Sequence, residues 1–139
     1  MGKEVTNVTI TNNTGLVREA LEIAKLQALS AIGTTAERYA KQETPVDLGR
    51  LRNSMTHVVQ GDSVYIGSNV EYAPYVELGT GIYASDGNGR KDSWVYFDEK
   101  TGKFRLTRGS KPHHMIRRAV TEHTDEYREI VKAAFEANE

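Results

Sequence analysis

There is no cysteine among the 139 residues. That excludes a disulfide framework, a thiolate metal site and a thiol nucleophile, and it fits a reducing cytoplasm. Long apolar runs are missing too. Nothing approaches the roughly 18 consecutive apolar residues of a membrane span, and the opening MGKEVTNVTITNN has no apolar core of the kind a signal peptide carries. Membrane insertion and export by the general secretory route are therefore not expected. Acids are missing from one long stretch. Between Thr101 and Thr121 stand Lys103, Arg105, Arg108, Lys111, Arg117 and Arg118 without a single carboxylate, whereas Glu122, Asp125, Glu126, Glu129, Glu136 and Glu139 follow with only Arg128 and Lys132 among them. A net charge of −1 conceals this asymmetry. A basic segment beside an acidic helix suits contact with phosphate, docking on a complementary protein surface such as another copy of the chain, or a solvated face with local ion pairs. The length fits a single domain, 1–139, and ordinary shares of apolar and charged residues indicate a soluble globular class.

The patterns that carry enzyme chemistry are also absent. Of the histidines, His113 and His114 are adjacent and point apart in an extended segment, while His57 falls in a strand and His123 in a helix, so no pair has the i, i+4 spacing of a zinc helix. No serine sits in a G-x-S-x-G elbow, and the glycines of GTG and DGNG lack the strand–loop–helix setting and lysine of a phosphate-binding loop. Asp47 and Glu77 can be drawn as an acid/base pair, but the structural alternative is stronger: Asp47 capping a turn, Glu77 paired with Arg50 or Arg52. No catalytic residue, metal or cofactor is expected.

What is present reads as helix, hairpin, turn, hairpin, helix. Val5 to Thr11 alternates as a short strand or arm within 1–13. From Thr14 to about Gln42 the spacing becomes helical, with Val17, Ala20, Leu21, Ala24, Ala28, Ala31, Ile32, Ala36 and Tyr39 on one side. Asn13 or Thr14 can cap its start, Gly33 marks a possible kink, and Thr44 before Pro45 ends it. SMTHVVQ and SVYIGS form a hairpin across Gly61-Asp62. PYVEL, with Pro74 in its first turn and Gly79 just past its end, is one helical turn. Residues 81–93 form a flexible loop. WVYFDEKTGKFRLT is a second hairpin turning at Gly102, with Trp94, Tyr96, Phe104 and Leu106 expected to face inward together. Ile116, Val120, His123, Tyr127, Ile130 and Ala134 define a last amphipathic helix. The expected fold is α+β: a four-stranded antiparallel sheet made of both hairpins, packed against two long helices.

Two segments together carry a resemblance. PVDLGRLRNSM at Pro45–Met55 offers Pro45, Asp47, Gly49, Leu51, Arg52 and Ser54, and NVEYAPYVELGTG at Asn69–Gly81 offers Tyr72, Ala73, Pro74, Glu77, Gly79, Thr80 and Gly81. This pair resembles the signature of the HK97-gp10-like family of tailed-phage proteins, with likeness in element order over about residues 14–138. Leu48 replaces the family's usual threonine, Leu78 its common phenylalanine, and His113-His114 the aromatic that follows the proline before the last helix. The resemblance implies a non-enzymatic virion protein made in the bacterial cytoplasm. It would act in tail completion or head–tail joining as a homo-oligomer, often a ring of six, touching the tail tube or terminator and the head–tail connector, with packaged DNA within reach.

Within that reading the basic segment (Lys103, Arg105, Arg108, Arg117, Arg118) and the acidic helix (Glu122, Glu126, Glu129) are the candidate faces that meet between copies. Asp86, Asn88, Arg90 and Lys91 are the candidate docking residues of the loop. The alternative is an accessory protein that binds nucleic acid without sequence preference through 103–118.

Overall fold

The computed structural model describes residues 14–99 and 101–138; the strand or arm expected at Val5 to Thr11, and Asn13 as a cap, lie outside them. The first helix, α1 (Thr14–Glu43), runs unbroken for 30 residues, about 45 Å. It ends where expected, at the residue before Thr44, whose buried hydroxyl donates to the Ala40 carbonyl at 2.7 Å. A short helix, α2 (Gly49–Ser54), leads into the hairpin β1 (Thr56–Gln60) and β2 (Ser63–Gly67). Next come α3 (Ala73–Leu78), a 3-10 turn at Gly81–Tyr83, and a second hairpin, β3 (Trp94–Asp98) with β4 (Lys103–Thr107). The chain closes with α4 (Met115–Thr121) and α5 (Thr124–Ala137).

The class is α+β, but the single four-stranded sheet is not formed: the hairpins are two separate two-stranded antiparallel sheets. The reason is where each one lands. The first lies along α1, with His57, Val59, Val64 and Ile66 half-buried and the alternate residues wet. Gly33 makes this possible, since a β-carbon there would stand 2.3 Å from His57 Cδ2 and 2.9 Å from Val64 Cγ2. Gly33 is thus a notch for the hairpin, and α1 continues through it without a break. The second hairpin packs on no other described helix or strand to a comparable extent.

The last helix is also two helices. α4 stops at Glu122, and His123 leaves helical geometry to stack flat on Tyr39, ring centroids 3.4 Å apart. The Tyr127 hydroxyl donates to the Ala119 carbonyl, which a continuous helix would have offered to the His123 amide. Burial of that hydroxyl raises its pKa, so it stays a donor. α4 and α5 lie along one side of α1 and the first hairpin along another.

The core gathers at the C-terminal end of α1, where Ala40, Leu51, Met55, Val70, Ala73, Met115 and Ala119 meet. Both sequence motifs supply it: Leu51 and Met55 from the first, Ala73 from the second. At the other end of α1 the expected apolar stripe is not covered. Lys25 meets Asp62 at the tip of the first hairpin, and Gln27 meets Asn138 at the end of α5. Residues 14–23 therefore extend past both neighbours, and Val17 and Leu21, expected inward, are exposed.

Candidate functional site

The second motif ends as a backbone junction. α3 has Pro74 in its first turn and Gly79 at its end with φ 81°, as the sequence indicates. After it the chain runs against 108–112: the Thr80 amide donates to Ser110 O at 2.9 Å, the Ser110 amide to Thr80 Oγ1 at 2.8 Å, and the Ile82 amide to Arg108 O at 3.0 Å. Two glycines face each other there. A β-carbon on Gly81 would lie 1.8 Å from the Arg108 carbonyl oxygen, and one on Gly109 would lie 2.0 Å from that of Thr80. The GTG of the motif is therefore a close-approach strap whose counterpart, the RGS of 108–110, sequence reading did not single out.

Glu77 closes the junction, though not by the route expected. Its carboxylate accepts from the amides of Ile116 at 2.8 Å and Arg117 at 3.1 Å, capping the first turn of α4. The amides of His113 and His114 donate to the carbonyls of Val76 and Glu77. Arg50 pairs instead with Glu71 in a two-pronged bond, both distances 3.1 Å, which holds the first motif to the second. Arg52 lines a cleft together with Glu37, Arg38 and Lys41 of α1. Anionic side chains are favoured at the amide end of a helix, which explains a carboxylate at position 77 as well as an ion pair would. His114 takes a left-handed conformation, φ 50°, to deliver the chain into α4. Asp47 stands one residue before Leu48, the residue that precedes the first turn of α2. Tyr72 packs against the core while Tyr75 is exposed.

The loop starts folded onto this junction. Ser85 donates to the Leu78 carbonyl through both its amide and its hydroxyl, at 2.8 and 2.7 Å. Asp86 Oδ1 accepts the Asn88 amide at 2.9 Å, Lys91 reaches the Gly87 carbonyl at 3.2 Å, and the Arg90 guanidinium sits over the Trp94 ring. Between this segment and α3 lies an open cleft of about 490 Å³, walled by Pro74, Tyr75, Leu78 and Trp94 and rimmed by Asp86, Asn88 and Arg90. The structure thus brings three of the four docking-loop candidates to one rim.

The charged candidates are more dispersed. Arg105 pairs with Asp98 across its own hairpin at 2.8 Å, Arg118 reaches Glu43 at 3.6 Å, and Glu126 accepts from the Tyr39 hydroxyl with Arg38 nearby. That bond raises the Tyr39 pKa. Glu122 and Glu129 are exposed, as are Lys103, Arg108 and Arg117.

The second hairpin also corrects an expectation. Asp98 pairs with Lys103, so even-numbered residues of β3 oppose odd-numbered residues of β4. Trp94 and Tyr96 share a face with Thr107, Arg105 and Lys103, while Val95 and Phe97 share the other with Leu106 and Phe104. The four residues expected inward are split between two faces. Neither is buried.

Among the described residues no group of three His, Asp or Glu side chains is placed to hold a metal ion, and no helix is long and apolar enough to cross a membrane. No curated protein and no solved structure matches the chain. One family model does, described as bacteriophage HK97-gp10, putative tail-component, over residues 11–79. The match takes in α1, the core-forming first motif, the notched hairpin and α3, and stops at Gly79 where the strap begins. Residues 11–79, which hold nearly all of both motifs, are thus similar to the HK97-gp10-like family of bacteriophage tail components.

Proposed function

We propose that the protein is a structural component that completes the tail at its head-proximal end and joins it to the head, assembling there as a ring, with six copies matching the tube. The observation that carries this reading is the family match over the segment that supplies Ala40, Leu51, Met55, Val70 and Ala73 of the core and the Arg50–Glu71 pair. A contact that closes into a ring needs two different faces on one subunit, and this chain has unlike ends: the projecting hairpin with its basic residues, and the uncovered start of α1 beside the acidic α5. Arg108 and Arg117 from the basic segment would approach Glu122 and Glu129 of the next copy, and the rim at Asp86–Lys91 would meet the tube or terminator and the connector. Multivalent engagement lets weak single contacts hold. No catalytic step is assigned.

The test is negative-stain microscopy of an induced lysate carrying a stop codon in this reading frame. DNA-filled heads lying apart from tails are expected, and intact infectious particles would overturn the reading. A second reading has one observation in its favour. Trp94 and Tyr96 share a face with Lys103 and Arg105, the pairing of stacking rings and cations that single-stranded nucleic acid uses. Affinity for DNA that falls steeply with salt, together with intact particles in the lysate, would select it.

A further inference from the structure

The loop that rims the cleft carries DGNG, which holds the chain's only Asp-Gly pair, Asp86-Gly87, and its only Asn-Gly pair, Asn88-Gly89. A carboxyl or carboxamide before glycine is open to attack by the next main-chain nitrogen, because glycine has no β-carbon to bar the approach and the encounter is intramolecular. By sequence the two pairs are alike. The structure separates them.

At Asp86 both reacting groups are engaged. Its Oδ1 accepts the Asn88 amide at 2.9 Å, and the Gly87 nitrogen, which would have to attack, donates to the Ala84 carbonyl at 3.1 Å. At Asn88 neither group is held: the side chain is exposed, lies outside helix and strand and bonds to no described residue, and the Gly89 nitrogen donates to no described acceptor. The other described asparagines are restrained. Asn53 lies within α2, Asn69 precedes the β-branched Val70 whose amide donates to Ser68 Oγ at 3.0 Å, and the Asn138 side chain donates to Gln27 and to the Ala134 carbonyl. The glycine itself is fixed by packing, since a β-carbon on Gly89 would stand 2.0 Å from the Gly81 carbonyl oxygen. A reactive pair is therefore built into the rim.

We propose that Asn88 is a site of spontaneous covalent modification, converting to aspartate and isoaspartate through a cyclic imide. The Gly89 nitrogen, its proton taken by hydroxide, attacks Asn88 Cγ; the N–Cγ bond forms, the Cγ–Nδ2 bond breaks, and ammonia leaves with a proton from water. Water then opens the ring. Cleavage at Cγ gives aspartate on the native main chain, and cleavage at the Asn88 main-chain carbonyl gives isoaspartate, whose main chain is one methylene longer. One water is consumed, one ammonia is released and nothing is oxidised. Either product sets a new carboxylate between Asp86 and Arg90 on the cleft rim, so fresh and aged protein present different edges. The reaction depends on the loop alone and stands apart from the tail-joining reading.

The test ages the full-length protein at physiological temperature in mildly alkaline buffer and follows the tryptic peptide 53–90, which holds Asn53, Asn69 and Asn88 together, by tandem mass spectrometry. Asn88 should gain the mass of an amide-to-acid conversion about tenfold or more faster than Asn69, and split into two chromatographic forms of equal mass. The rate should rise in proportion to hydroxide, and Asp86 should remain unisomerised in the folded protein. Equal conversion of Asn88 and Asn69 would overturn the proposal, as would isomerisation of Asp86 keeping pace with Asn88. Asn88→Gln, whose extra methylene demands a larger ring, should lose the aged acidic form; the same acidic form at an undiminished rate would place the reaction elsewhere and overturn the assignment.

Discussion

The two hairpins begin from the same local instructions and end differently. Each has five-residue strands that alternate in character, and each turns at a glycine with positive φ, Gly61 at 61° and Gly102 at 68°. The first is half-buried on one face with the other wet, the usual state of an antiparallel ribbon on a helix. The second is exposed on both. Alternation therefore specifies a ribbon, while its cover is decided elsewhere, in this case by whether the neighbour offers a notch. Gly33 is that notch, and nothing equivalent faces β3–β4.

Filling the notch should have the largest effect. Gly33→Val places branched carbons where His57 and Val64 already stand, and overpacking of that contact should cost about 3 kcal/mol. Gly15, which has open space around it, serves as the control: Gly15→Ala should leave stability within about 0.5 kcal/mol or raise it slightly. Urea unfolding of the two variants side by side measures the contrast; equal midpoints would mean that the first hairpin is held by something other than that close fit.

Next in size is the anchor of the second hairpin. Glu77→Ala removes the acceptor of two amides at the start of α4, an effect of about 1–2 kcal/mol on thermal unfolding. Hydrogen exchange should quicken at Ile116 and Arg117 and remain slow in β1 and β2. Faster exchange in both hairpins alike would show that the two ends of the molecule are one cooperative unit.

What the sequence disclosed and what it withheld follows the same division. α1 was legible because its spacing persists over eight turns and Thr44-Pro45 stops it; α3 was legible because Pro74 and Gly79 punctuate a single turn. Those signals are local. The merger of the hairpins into one sheet was not legible, because strand alternation carries no address for the partner strand. The faces of β3–β4 were misassigned because parity depends on the length of the connection at 99–102, and a change of one residue exchanges the faces. Glu77 was assigned to an arginine since charge is visible in a sequence and orphan amides are not. The rim of the cleft was partly legible as a loop, from glycines and polar residues in a stretch without period, but the cleft itself depends on Trp94 arriving from another element.

A third experiment puts the two ribbons under the same substitution. Val59→Ala trims a half-buried side chain facing α1 and should lower stability by about 1 kcal/mol. Phe104→Ala removes a larger side chain from a face that no described residue covers and should leave the protein within about 0.5 kcal/mol of wild type. The ordering by size is thereby reversed, because burial rather than bulk sets the cost. A larger loss for Phe104→Ala in dilute protein would show that its face is covered within the chain.

The smallest effect is acid sensitivity on the covered side. Burial works to raise the Glu37 carboxyl, but hydrogen bonds from His57 and Lys41, with their charges, outweigh it and hold the pKa below its ordinary 4.5. A carboxyl whose folded pKa is depressed gives stability that is fully present above the ordinary value and disappears as pH falls through the folded one. Glu37 is partly solvated, so the contribution is a few tenths of a kcal/mol. Glu37→Gln should therefore flatten the decline in thermal midpoint below about pH 4.5 and leave its slope near neutrality alone. The difference belongs to the α1–β1 seam: combined with Gly33→Val, which pushes His57 away, Glu37→Gln should have no further effect on the acid limb, and full additivity would separate the carboxylate from the notch it appears beside in space.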